Sequence, residues 1–130
     1  MIVIDASALV EVLLQSSGAS AVEAWMARPG QTLHAPHLID LEVAQVVRRY
    51  VMVGRIDQRL GQIALINLEH MPVHRYSHGA LLPRIWTLRS NLSAYDAAYI
   101  SLAEALNAPL LTRDRRLAAA PGHRATIALA

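Results

Sequence analysis

The chain has 130 residues, is 54% hydrophobic and carries a formal net charge of +2 with no cysteine. That length suits one domain with a proper core; the missing thiols exclude disulfides and thiolate metal centres, and no run of about 18 apolar residues is present to span a membrane. All twelve basic residues are arginine, which excludes chemistries built on an active-site lysine, such as those of receiver domains and haloacid-dehalogenase-like phosphatases, because a planar guanidinium does not replace a compact ammonium.

Ile2-Val3-Ile4 reads as a central parallel strand buried on both faces, ended by Asp5. No basic n-region or cleavage site precedes it, so a cytoplasmic location is expected. A helix follows near Ala8–Gln15, Ser16-Ser17-Gly18 breaks it, and a second runs from Ala19 to Ala27 before Arg28-Pro29-Gly30. Thr32–Ala35 is a second strand closed by Pro36. From Ile39, Val43, Val46, Val47, Tyr50 and Val51 recur at helical spacing as far as Gly54. Asp57 then caps an amphipathic helix to about Asn67. Met71–Tyr76 is a third strand and Gly79–Arg89 a helix. Strands separated by helices predict an α/β fold: a parallel sheet covered by helices on both faces, in one domain over residues 1–130.

The stretch from Leu92 to Leu117 carries the most information. Ser93 is an N-cap, and Asp96 three residues on gives a variant of the capping box. At about 100° per residue, Tyr99, Ile100, Ala103 and Leu106 share Asp96's side of the helix, so this acid opens an apolar face. Asn107-Ala108-Pro109 stops the helix, Leu110-Leu111 makes a minimal strand, and Thr112-Arg113-Asp114 turns out of it. Arg124–Leu129 offers a terminal strand.

Four of the ten acids thus fall at special places: Asp5 and Asp114 after strands, Asp96 at a helix start, Glu42 at the edge of an apolar helical arc. Each has a plain alternative. Asp5 and Asp114 can cap the following helices, Asp96 can be a capping-box acid only, and Glu42 a solvated first-turn residue. Sites in doubly wound sheets form beyond the carboxyl ends of strands, where all four can converge. Two carboxylates ~4 Å apart repel by ~4 kcal/mol at an effective dielectric of 20, so a cluster needs a cation. An all-oxygen set favours Mg²⁺ or Mn²⁺ over Zn²⁺. Ser7 and Thr112 can add hydroxyls. His70, His74 and His78 do not share a helical face across Pro72 and read as structural or surface residues, and Trp25 and Trp86 as core or interface.

These pieces together resemble a PIN-domain ribonuclease, and more narrowly the toxin of a VapBC-type toxin–antitoxin pair. The matching segments are Ile2-Val-Ile-Asp5-Ala-Ser7-Ala-Leu, Ala35-Pro-His-Leu-Ile-Asp-Leu-Glu42-Val, Leu92-Ser-Ala-Tyr-Asp96-Ala-Ala-Tyr and Leu110-Leu-Thr112-Arg-Asp114-Arg-Arg-Leu, in the family's order. The resemblance implies a Mg²⁺ or Mn²⁺ site on Asp5, Glu42, Asp96 and Asp114, endonuclease activity on RNA, a homodimer, and a small antitoxin that docks a C-terminal segment over the active site. An acidic pocket repels RNA, so arginines should rim it. Arg113, Arg115 and Arg116 are the first candidates, with Arg48, Arg49, Arg55 and Arg59 near the Glu42 helix. Two other functions are compatible with the residues: a catalytically idle PIN fold that binds a protein partner, and a metal-dependent phosphatase for small esters, which lacks the expected nucleophile motif and lysine.

Overall fold

The computed structural model describes residues 1–130. In chain order the elements are β1 (Ile2–Ile4), α1 (Ala6–Leu14), α2 (Ala19–Met26), β2 (Leu33–Pro36), α3 (Leu38–Met52), α4 (Gln58–His70), β3 (Val73–Tyr76), a 3₁₀ turn (Gly79–Leu81), α5 (Leu82–Thr87), α6 (Ala94–Leu106), β4 (Leu110–Thr112), α7 (Arg115–Ala119) and β5 (Ile127–Leu129). All five strands are parallel, in the order β3-β2-β1-β4-β5. The α/β expectation holds.

The chain winds outward from β1 through β2 to β3, then returns across β1 to lay down β4 and β5. Right-handed crossovers in the two directions place helices on opposite faces. α1, α3 and α4 pack together on one side; α6 covers β1, β2 and β4 on the other, backed by α5. β1 is fully buried, as its three apolar residues require. So is α6 from Ala97 to Ala103, which explains why that helix carries no strong polar face. The winding reverses between β1 and β4, paired through Val3 with Leu110 and Ile4 with Leu111. A crevice at their carboxyl ends follows from that topology.

Local chemistry sets most boundaries. Ser93 Oγ accepts the Asp96 N–H at 3.1 Å, and Asp57 caps α4 by accepting from Leu60 N–H at 2.7 Å. Asn107, at φ 48°, closes α6 in the left-handed conformation.

Most expected elements shift by one or two residues, α1 to Ala6–Leu14 and β3 to Val73–Tyr76 among them, and three differ by more. The helix expected over Gly79–Arg89 is divided, because Pro83 has no N–H to give the Gly79 carbonyl; Leu82 supplies it instead, one residue early, in a 3₁₀ turn. The last strand begins at Ile127 and not Arg124, since Arg124 N–H is bound to Glu104 and Ala125 N–H to His123 Nδ1. α4 runs past Asn67 to His70, whose Nδ1 lies 2.9 Å from the Ile66 carbonyl oxygen. No helix is long and apolar enough to cross a membrane.

Candidate active site

Asp5 stands at the end of β1, only 7% exposed. It occupies the N-cap position of α1 but makes no capping bond. Its Oδ2 instead accepts two hydroxyls, Ser7 Oγ at 2.7 Å and Thr112 Oγ1 at 2.8 Å. Those hydroxyls accept in turn from backbone: Arg113 N–H binds Ser7 Oγ at 3.0 Å and Asp114 N–H binds Thr112 Oγ1 at 3.0 Å. Each hydroxyl has one proton, so the backbone donors direct both protons to Asp5. The consequence is a carboxylate fixed across the β1–β4 junction, with neither hydroxyl on its Oδ1.

The other three acids line the same cleft, of about 780 Å³, which opens at this crevice. Glu42 lies beyond the first turn of α3, half-buried, and its Oε1 accepts from Tyr99 OH at 2.6 Å. Asp114 does cap α7: its Oδ1 accepts Arg116 N–H at 2.9 Å and Leu117 N–H at 3.3 Å. Asp96 is half-exposed at the start of α6, where Ser93 supplies the cap. The capping alternative is therefore met at Asp114, partly at Asp96, and not at Asp5 or Glu42. Even at Asp114 it uses one oxygen and leaves Oδ2.

The electrostatics express crowding. Burial pushes the Asp5 carboxyl above its ordinary range, and Asp114 adds to this, while the two hydroxyls pull it back. Glu42 is raised by burial and by Asp5 and Asp96, against the Tyr99 bond. Asp96 is raised by burial and by Asp5 and Asp114. These acids feel one another, yet no three acidic or histidine side chains stand close enough to form a ready-made ion site.

The PIN-domain family profile matches residues 2–122. The chain belongs to the PIN-domain family. It is 44% identical to Ribonuclease VapC9 of Mycobacterium tuberculosis over 117 residues, 90% of this chain and 88% of that one. Among solved structures, VapC20 of Mycobacterium tuberculosis, a sarcin-ricin loop cleaving toxin, superposes with a TM-score of 0.71 at 13% identity, covering 92% of this chain and 94% of the other. A toxin–antitoxin complex from Klebsiella pneumoniae matches with a TM-score of 0.68 at 19% identity, covering 98% and 96%. At those identities the two structures speak for the fold alone.

Within this PIN fold the expected arginine rim divides. Arg113 is no rim residue: its Nε pairs with Glu11 at 3.4 Å, its Nη1 donates to the Ala130 carbonyl at 3.1 Å, and its guanidinium packs over Gly18. A Cβ at Gly18 would meet Arg113 Cζ at 2.5 Å, so the glycine makes room for this clamp. Arg115 and Arg116 are exposed beside Asp114. Arg49 lines the cleft; Arg48, Arg55 and Arg59 are exposed without lining it. Trp25 is partly buried against the core, whereas Trp86 is 68% exposed.

Two contributors were not legible as such. His78 Nε2 accepts the Leu38 N–H at 3.1 Å and so caps the helix that carries Glu42. Tyr99, which reads as an apolar-face residue, is fully buried and gives its hydroxyl to Glu42. Burial and the neighbouring acids drive its ionisation far above the ordinary phenol range, so it remains a donor.

Proposed function

We propose that this chain is a divalent-metal-dependent endoribonuclease that serves as the toxin of a type II toxin–antitoxin pair in the cytoplasm. The observation that carries the reading is the use of the carboxylate oxygens. Asp5, Glu42 and Asp114 each commit one oxygen to the protein, and each keeps the other free of side-chain donors beside a common cleft. A plain cap such as Asp57 also leaves one oxygen unused; what sets Asp5, Glu42 and Asp114 apart is that all three line one cleft, with Asp96 beside them. The donor set is all oxygen and fits a hard cation, Mg²⁺ or Mn²⁺, held by Asp5, Glu42, Asp96 and Asp114. The likeness to named VapC ribonucleases supports RNA as the substrate.

A divalent cation held by Asp5, Glu42, Asp96 and Asp114 would supply activation of a water and neutralisation of charge on the phosphate. The chain's own residues do the positioning. Ser7 and Thr112 hold Asp5 in one orientation, and the α7 cap does the same for Asp114. Arg115, Arg116 and Arg49 offset the repulsion between an acidic pocket and a polyanion. Leu41, Leu82 and Tyr95, all exposed at the cleft wall, with Trp86 one turn along α5 from Leu82, form an apolar surface larger than isolated exposed residues would make. We assign this surface to protein contacts: a second copy in a homodimer and the antitoxin segment.

The purified protein is expected to cleave RNA in Mg²⁺ or Mn²⁺, to stop in excess EDTA and to recover when the cation is restored. Gel analysis of a defined RNA checks this. Undiminished cleavage in EDTA removes the metal assignment, and cation binding without cleavage of any RNA favours a binding module.

A further inference from the structure

Glu42 has no hydrogen-bonding partner on its own helix; the one bond its carboxylate receives comes from α6, through the Tyr99 hydroxyl at 2.6 Å. α6 also carries Asp96, one turn earlier on the same side of the helix. The Tyr99 ring is fully buried in the core beneath the cleft, so its hydroxyl is a fixed point and not a wandering one. A buried hydroxyl requires a partner, and this one spends its proton on a carboxylate of the cleft. A glutamate otherwise keeps several rotatable bonds, whose ordering opposes ion binding.

We infer that Tyr99 is a positioning residue for the ion site, anchoring Glu42 Oε1 so that Oε2 is presented to the cation. This rests on reading the cleft as a cation site. α6 then contributes to the site twice, directly by Asp96 and at one remove by Tyr99. Loss of such an outer contact costs about 10–100-fold in metal affinity where it orients a ligand. Loss of a core hydroxyl with no such task leaves affinity alone.

The test measures Mn²⁺ affinity of the full chain by calorimetry, for wild type, Tyr99→Phe, Glu42→Gln and the double variant. Tyr99→Phe is expected to weaken Mn²⁺ binding by about tenfold or more. In the Glu42→Gln background the same change should move the affinity less than twofold, because the carboxylate it positions is gone. Equal affinities for wild type and Tyr99→Phe overturn the inference, as does an undiminished effect in the Glu42→Gln background. A wild type that binds no Mn²⁺ overturns the cation reading itself and this inference with it, so the two failures are distinguishable. A second measurement avoids dependence on the folding of Tyr99→Phe. With 3-fluorotyrosine at all four tyrosines, the Tyr99 fluorine resonance should shift on Mg²⁺ addition in wild type and stay still in Glu42→Gln. A resonance that ignores Mg²⁺ in wild type, or moves equally in both, counts against the anchor.

Discussion

Asp5→Asn is expected to lower RNA cleavage by about a hundredfold or more while raising the stability of the metal-free protein by about 1–3 kcal/mol. The two effects have one cause. An asparagine oxygen still accepts both the Ser7 and Thr112 hydroxyls, which bind a single oxygen of Asp5. What disappears is a buried charge next to Asp114, and burial is the largest influence on this carboxyl. The hydroxyl bonds become weaker when the acceptor is neutral, but that loss is smaller than the relief from desolvation.

The stability gain carries a pH signature. The folded-state pKa of Asp5 is raised, so wild type loses stability as pH rises through that raised value. Only well below the ordinary aspartate value of 3.8, by about two pH units, is the group neutral in folded and unfolded chains alike, and there its charge costs nothing. The gap between Asp5→Asn and wild type should therefore be small at pH 4, where ionisation of the unfolded chain has begun, and widen as pH rises toward 8. His34, Glu11 and Glu104 also titrate away from their ordinary values, but they are common to both proteins and cancel in the difference, whereas Glu42 and Asp96, which Asp5 helps to raise, widen the gap in the same direction as pH rises. Denaturant melts in EDTA across that range give the curve. Equal stabilities at pH 8, or retained cleavage, would sink the assignment of Asp5 to a crowded cation site.

Ile100→Ala should act in the opposite way, with a large cost to stability and none to the site. Ile100 is fully buried on α6 against the sheet, and removing its branched side chain costs about 3 kcal/mol in transfer and cavity terms. For a chain of this size that is a fall of about 10 °C in melting temperature. At 15 °C, where the variant remains folded, Mn²⁺ affinity and cleavage per folded molecule should match wild type, because α6 keeps its cap at Ser93 and its Tyr99 bond. A calorimetric titration beside a thermal melt separates the two quantities. Lost affinity in a folded Ile100→Ala would show that the site depends on fine packing of α6.

The acids were legible from sequence because their signal is local. Asp5 follows an apolar triplet, Asp114 follows a short strand, and Ser93 stands three residues before Asp96; each is visible within a few residues. What sequence could not show is contact at long range. The Tyr99–Glu42 bond joins residues 57 apart and the His78–Leu38 bond residues 40 apart, and neither residue type announces such a role. Arg113 was misplaced for a related reason. Its neighbours Asp114 and Arg116 suggested a solvent-facing basic cluster, but Glu11 and the Ala130 carbonyl reach it only after the chain has folded. The divided helix at Gly79–Thr87 was within reach, since Pro83 and its missing N–H are plain in the sequence.

The reversal of winding between β1 and β4 also has a consequence in time. Thr112, on β4, follows Asp5 by 107 residues, and Asp114 lies in the turn after that strand. Until β4 slides in beside β1, Asp5 lacks one of its two hydroxyls and the cleft lacks its fourth carboxylate. A chain growing from its N-terminal end therefore carries an incomplete acidic cleft until β4 has been made and docked. The order of strands in the sheet acts as a delay on the assembled cleft.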